Sequence, residues 1–347
     1  MRMKPIRWGI IGCGAVTELK SGPALQLASG SALIAVMRRD SAAAENFANR
    51  HRVEKWYDDA DKLIFDNDVD AIYIATPPGD HHHYGLRVRD AGKPAYIEKP
   101  MARNHIECRE LVDAFASRRL PLFVAYYRRC LPRFLKAKEL IDSGELGHLT
   151  SICYRYEQPP IKFTPQQLPW RVSSEKSGGG LFFDVGCHVL DLLDHWLGPL
   201  CHVSGLCANR GGYYDVEDTL SMCFQTRSGV PGVASWNFVG STATDCLEIS
   251  GTKGKMSLSV FADEPLHIHT AGGLQSFSIP NPAHVQQPLI QAIVNELRGA
   301  TEETCPSSGV SAARTAAVMD HVVNGYYGDR SSDFWNHPTT WPRGSYQ

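Results

Sequence analysis

Four ionisable residues punctuate the apolar stretch LFFDVGCHVLDLLDH, residues 181–195. Asp184, His188, Asp191 and His195 recur at spacings of four, three and four, which places them on one helical face. Charged groups inside an apolar helix are costly unless they are paired, hydrogen-bonded or functional. A histidine one turn after an aspartate suits proton transfer near neutral pH, with the carboxylate orienting the ring. One metal shared by all four is excluded by length, because ligands on three turns of one face span roughly 16 Å. Only a neighbouring pair could share an ion, the basis of a metal-dependent hydrolase reading.

A second chemical signal stands at the N-terminus. IRWGIIGCGAVTELK reads as a strand, a glycine turn and a helix start. Gly9, Gly12 and Gly14 are in place, and the last position of the G-x-G-x-x-G pattern is Thr17 rather than Gly. Gly12 allows the tight turn, Gly14 lets the backbone approach a pyrophosphate, and Ala15 and Val16 open a helix whose N–H groups face the phosphates. The next strand ends IAVMRRD, with Arg38 and Arg39 where an acidic residue would bind the ribose 2′-hydroxyl of NAD. Two guanidinium groups suit a 2′-phosphate through bidentate charged hydrogen bonds, favouring NADP(H) and leaving NAD(H) possible. A solvated basic strand end is the alternative. His81, His82 and His83 resemble a metal cluster, but consecutive residues on a helix point apart, so no metal site is expected there.

These residues need two frameworks. Runs at 6–11, 32–37, 71–76, 95–97 and 122–127 are short and continuously apolar, with helical patterns between them, for example 106–119. That rhythm predicts a parallel sheet covered on both faces. After a helix at 133–143 ending at Gly144, the rhythm changes. A strand at 148–157, a long loop at 158–180 and hairpin turns at 226–232, 250–255 and 270–275 predict an antiparallel sheet. Helices near 285–299 and 308–323 and an irregular tail from Phe334 close the chain. The expected fold is α/β: an N-terminal Rossmann-type parallel domain over 1–125, and a C-terminal α+β domain over 126–347 with a large open, mainly antiparallel sheet for substrate binding and oligomerisation.

Bulk composition fits a globular protein of 347 residues. A net charge of −2 gives no general grip on nucleic acid or anionic membrane. No run of about 18 apolar residues suggests a spanning helix, and no convincing signal peptide is present, so a cytoplasmic protein is expected. Ten scattered cysteines, with no C-x-x-C pair, read mostly as reduced, buried small hydrophobes.

Taken in order, GIIGCGAV (9–16), ATPPGDHH (75–82), YIEKPMA (96–102), VAYYRRCLPRF (124–134), PWRVSSEKSGGG (169–180) and DVGCHVLD (184–191) resemble the Gfo/Idh/MocA oxidoreductases, a family that includes glucose–fructose oxidoreductase and inositol dehydrogenase. The resemblance covers nearly the whole chain. It implies a catalytic set of Lys99, Asp184 and His188, with Thr76, Pro77, Glu98 and Lys99 beside the nicotinamide half of the cofactor. His81 matches the family's T-P-N-x-x-H segment, although Pro78 replaces the usual Asn. Arg38 falls where NAD-dependent members carry Asp, which supports NADP.

Elementary chemistry reaches the same set. Hydride transfer to a carbonyl leaves an alkoxide that needs a proton and a nearby cation. Lys99 follows a strand on the side where open α/β sheets bind ligands, and His188 comes from the other domain, so the expected site is the cleft between domains. His188 would exchange the proton, Lys99 polarise the oxygen and Asp184 orient the imidazole, with the Lys and His roles interchangeable. Asp191 either bonds near the site or supports the helix, and His195 reads as structural. Tyr156, Trp170, Arg171 and Lys176, on or near the long loop, are candidate contacts to a hydroxylated substrate. The glycine run 178–180 would let that loop approach the helix start closely. The expectation is thus a sugar or polyol oxidoreductase, with dihydrodiol dehydrogenase- or biliverdin reductase-like activity, or a silent NADP-binding sensor, as alternatives. A homodimer or homotetramer is expected through the open sheet.

Overall fold

Ile6–Ile11 forms β1 and leads through the glycine turn into a helical segment, a π-turn at Thr17–Ser21 followed by α1, Gly22–Leu27. The computed structural model describes residues 4–161, 168–328 and 330. The described chain divides into two compact units, 4–102 with 106–131 and 282–313, and 103–105 with 132–281 and 314 onward.

In the first unit, β2 (Ser31–Met37), α2 (Ser41–His51), β3 (Lys55–Tyr57), α3 (Ala60–Ile64), β4 (Ala71–Ile74), α4 (Pro78–Asp90), β5 (Ala95–Ile97), α5 (His105–Ser117) and β6 (Leu122–Val124) follow β1. The six strands lie in the order β3-β2-β1-β4-β5-β6, all parallel. β4, β5 and β6 are buried at every position, the mark of a sheet covered on both faces. β1 sits between β2 and β4, so the turn after it opens at the point where strand order reverses, the place where such sheets bind ligands.

The strand expected at 71–76 stops at Ile74, and that expected at 122–127 stops at Val124, where the chain turns into a 3-10 helix at Tyr127–Cys130. β3 was not anticipated; its three residues are partly exposed at the sheet edge and carry no apolar run. The division at 125/126 also differs from the packing of residues 282–313. Leu289, Ile290, Ile293 and Val294 of α9 (Gln287–Leu297) are fully buried in the first unit, Gln291 bonds the backbone of Ser29 from both ends of its amide, and Ser308 bridges to Phe123.

The second unit contains α6 (Pro132–Asp142), β7 (Leu149–Glu157), α7 (Ser174–Ser177), α8 (Leu181–Leu197), β8 (Leu200–Ala208), β9 (Thr219–Thr226), β10 (Pro231–Asn237), β11 (Thr244–Gly251), β12 (Gly254–Leu258), β13 (Leu266–Thr270), β14 (Gly273–Phe277) and most of α10 (Gly309–Tyr327). The eight strands order as β14-β13-β12-β11-β7-β10-β9-β8, antiparallel except for the parallel β7–β10 pair. The three anticipated hairpins are present. Residues alternate in and out along β7, β9 and β10, so one face is covered and the other open. α8 lies on the covered face, where Phe182 meets Trp236 of β10 edge-on at 4.9 Å. All ten cysteines are free; Cys153 and Cys223 depart from the buried expectation and stand exposed on the open face. The tail expected from Phe334 lies outside the described residues, as do 162–167 of the long loop.

Candidate active site

The glycine turn is built by its own backbone. The N–H groups of Gly12 and Cys13 both donate to the carbonyl of Met37 at the end of β2, at 2.9 and 3.2 Å. Gly12 adopts φ +87°, and a Cβ there would meet Thr76 Cγ2 at 2.8 Å and Thr76 N at 3.0 Å. Gly14 differs: a Cβ would find only the Gly12 carbonyl, at 3.9 Å. Helical geometry begins at Ala15, and the first N–H groups of a helix have no partner within it. Thr17, the departure from the glycine pattern, is fully buried and donates its hydroxyl to the Gly14 carbonyl at 2.7 Å, bracing the turn. Gly9 is not part of this cradle. It lies inside β1, where a Cβ would meet Leu63 Cδ2 at 2.7 Å and Val69 Cγ1 at 3.1 Å, so its lack of a side chain serves the packing of α3.

The residues around the turn fit a dinucleotide. Thr76 Oγ1 is buried with no hydrogen-bond partner beside Gly12. Arg38 and Arg39 are exposed just past β2. Asp40, the acidic residue at that tip, is the N-cap of α2 and accepts the Ala43 N–H at 3.0 Å. Cys13 lies behind the turn, its thiol pushed up to about 11 by burial and held back by Arg38.

Glu98 and Lys99 follow β5. Glu98 is buried, its Oε1 accepting from Tyr73 Oη and Gln286 Nε2, each at 2.6 Å, while its Oε2 accepts the Lys99 N–H at 3.1 Å. Tyr96 donates to the other end of the Gln286 amide at 2.8 Å. This network fixes the backbone that carries Lys99, whose side chain is half-buried. Pro77 is the N-cap of α4. His81 departs from the cofactor-contact expectation. It is fully buried, its ring nitrogens 2.7 Å from the Thr76 carbonyl and 3.0 Å from that of Pro100, so it ties the segment after β4 to the one after β5 that carries Lys99. Burial pushes its pKa down. His82 faces Glu110 at 2.7 Å and His83 packs on Tyr84, so the triplet points in different directions.

In the second unit, Asp184 lies in the first turns of α8 and accepts from Arg171 Nε at 2.9 Å. The Arg171 guanidinium also stacks on Trp170 at 4.5 Å. His188, one turn later, is only 3% exposed and meets the Phe261 ring edge-on, centroids 6.0 Å apart. Tyr156 also packs edge-on against that phenyl ring, at 5.6 Å, and donates to Gln158. Its phenol is pushed up, chiefly by burial, with the Asp245 and Asp184 charges adding to the shift. Asp245 accepts the Phe261 N–H at 2.6 Å and the Tyr154 hydroxyl at 2.9 Å, setting the phenyl ring in place. Trp170, Arg171 and Asp184 thus form one connected group and Tyr156, Phe261 and His188 another, with Asp184 and His188 one turn apart on α8. Lys176 is exposed on α7. Asp191 is buried and His195 half-exposed. Asp194, absent from the sequence reading, is buried and held bidentately by Arg314 at 2.8 and 2.7 Å.

Gln286, Phe261 and Asp245 were also missed. Each is brought to its site by tertiary pairing, and nothing in local spacing marks them. Among the described residues no group of three or more His, Cys, Asp or Glu could hold a metal ion, and no helix is long and apolar enough to cross a membrane.

Two family descriptions match this chain. Residues 6–126 match the "Oxidoreductase family, NAD-binding Rossmann fold" and residues 134–257 the "GFO/IDH/MocA C-terminal domain". Oxidoreductase P35 of Formosa agariphila is 36% identical over 327 residues, 93% of this chain and 98% of that protein. The chain belongs to the GFO/IDH/MocA oxidoreductase family. Trans-1,2-dihydrobenzene-1,2-diol dehydrogenase of Mus musculus is 30% identical over 72% of this chain and 73% of its own. The structure of a levoglucosan dehydrogenase in complex with NADH superposes with a TM-score of 0.84 at 20% identity, covering 92% of this chain and 96% of that one, and so shares the fold. This GFO/IDH/MocA member is an NAD(P)-binding oxidoreductase, and its Rossmann sheet and open antiparallel sheet are those the family resemblance implied.

Proposed function

We propose that this family member transfers a hydride, with NADP(H), to or from the C–OH/C=O group of a sugar, polyol or related small hydroxylated compound. The observation that carries the cofactor preference is at the tip of β2. Arg38 and Arg39 are exposed there, while Asp40 is committed to capping α2 and so is not offered to a ribose 2′-hydroxyl. When bound, the nicotinamide supplies or accepts the hydride.

The protein's own residues handle orientation and the proton. The Glu98–Gln286–Tyr73 network holds Lys99 at the carboxyl edge of the sheet, where its ammonium polarises the substrate oxygen. His188 exchanges the proton with that oxygen. Asp184 orients the proton-transfer site and is itself steadied by Arg171. Arg171, Trp170 and Tyr156 offer hydroxylated substrates a cation and aromatic faces beside His188. A diol on a ring meets the same chemical demands, and the relationship to trans-dihydrodiol dehydrogenases supports testing such compounds beside sugars. The expected active form is a homodimer or homotetramer through the open sheet face, where Leu206 is 81% and Val233 53% exposed.

His188→Ala tests the assignment. Its kcat on the best substrate should fall by about 10²–10⁴-fold while the dinucleotide Kd is retained. Near-full turnover in this variant would refute the role given to His188.

A further inference from the structure

Glu217 belongs to no chemical step above, yet it is fully buried and adjoins the start of the active-site helix. Both of its oxygens accept the N–H of Gly180, the N-cap residue of α8, at 2.9 and 2.8 Å. Tyr327 donates its hydroxyl to the same carboxylate from α10. Gly180 is the residue type this contact requires, since a Cβ there would run into the Glu217 backbone carbonyl and come within 2.9 Å of its Cδ. Arg330 completes the anchor, donating to the Gly178 carbonyl, pairing with Asp320 and lying 4.6 Å over the Phe183 ring of α8. The glycine run before α8 is therefore clamped by a carboxylate at the positive end of the helix.

We propose that Glu217 is a positioning residue: through Gly180 it sets the placement of the first two turns of α8, and with them Asp184 and His188. The proposal rests on the reading that these two residues carry the chemistry. Asp184 lies four residues beyond Gly180 and His188 eight, so a shift of the N-cap is passed directly to both. Misplacement by about 1 Å at a reacting group can lower turnover by about 10²-fold. Facing the carboxyl from the surrounding elements are Tyr327 and Tyr326 of α10, Cys207 of β8, Tyr214, and Arg330. Burial pushes the Glu217 pKa up to about 7, against the pull of Tyr327, Gly180 and Arg330. The clamp therefore changes charge near neutral pH.

The test uses the full chain with Glu217→Ala and Glu217→Gln. Backbone amides of 181–190 should exchange with deuterium about tenfold faster in Glu217→Ala. Its kcat should fall roughly 10–100-fold with a smaller change in KM and an unchanged dinucleotide Kd. Glu217→Gln keeps an oxygen acceptor for Gly180, so it should restore exchange and kcat to within about threefold of wild type and remove the contribution of Glu217 near pH 7 from the kcat profile while leaving that of the proton-transferring residue in place. Exchange in α8 and kcat within about twofold of wild type in Glu217→Ala would overturn the proposal. If Glu217→Ala fails to fold, Tyr327→Phe removes one donor to the same carboxylate and decides by the same readouts. Exchange needs no substrate. Faster exchange in α8 without loss of kcat would uphold the clamp and refute the chemistry assigned to Asp184 and His188.

Discussion

Substituting Gly12 and Gly14 one at a time should separate folding from binding. Gly12→Ala puts a side chain on a residue at φ +87°, with the new Cβ 2.8 Å from Thr76 Cγ2 and 3.0 Å from Thr76 N. A non-glycine residue in left-handed geometry costs about 1–2 kcal/mol, and crowding against fixed backbone adds about 1–3 kcal/mol. The sum, about 2–5 kcal/mol, corresponds to a fall in Tm of roughly 4–20 °C for a unit of this size. Gly14→Ala puts its methyl 3.9 Å from the nearest protein atom, so stability should stay within about 0.5 kcal/mol of wild type. The methyl does, however, occupy the approach to the helix start. Losing one charged N–H-to-phosphate bond, about 1.5–3 kcal/mol, weakens dinucleotide binding by about 10–150-fold. The assay pairs a thermal melt of the ligand-free protein with a nicotinamide-fluorescence titration for each variant. A Gly14→Ala protein that binds like wild type, or one as destabilised as Gly12→Ala, would refute the assignment of this turn to pyrophosphate binding.

Two further outcomes follow from the second unit. Raising the Glu217 pKa from 4.5 to about 7 means the folded state holds its proton more tightly than the unfolded chain. The associated stability is full below about pH 4.5 and is lost as pH rises through 7, about 3 kcal/mol in all. The Tm of Glu217→Gln should therefore rise relative to wild type between pH 5 and 8 by roughly 5–10 °C, and a constant difference across that range would contradict the buried-carboxylate assignment. Leu206→Asp places a charge on the open sheet face without touching the covered one, and sedimentation should show it dissociated to monomers where the wild type is a dimer or larger. A monomeric wild type at micromolar concentration would count against oligomerisation through that face.

Much of this arrangement was legible because its signals are local. Continuous apolar strands alternating with helices marked the parallel sheet, and the glycine turn stood at its first strand end. The spacing of Asp184 and His188 placed them on α8, and Arg171 met Asp184 on the loop expected to carry contacts. What the sequence hid is non-local. Gln286 lies 188 residues from the Glu98 it bonds, and Glu217 lies 37 from Gly180. Residues 282–313 return to the first unit although the chain had left it long before, because the apolar face of α9 is buried there. His81 and Gly9 matched motif positions, yet packing gave each a different role. His81 spans two backbone carbonyls, and Gly9 makes room for Leu63. A motif fixes where a residue lies along the chain, whereas its hydrogen bonds and neighbours decide what it does.

The most direct measurement is a fluorescence titration with NADPH and, separately, NADH, on wild type and on a double variant with Arg38→Ala and Arg39→Ala. Wild type should bind NADPH at least about tenfold more tightly than NADH, and the double variant should lose that preference by weakening NADPH alone about 10–100-fold. Equal binding of the two by wild type, or a preference for NADH, would contradict the NADP(H) assignment at the tip of β2.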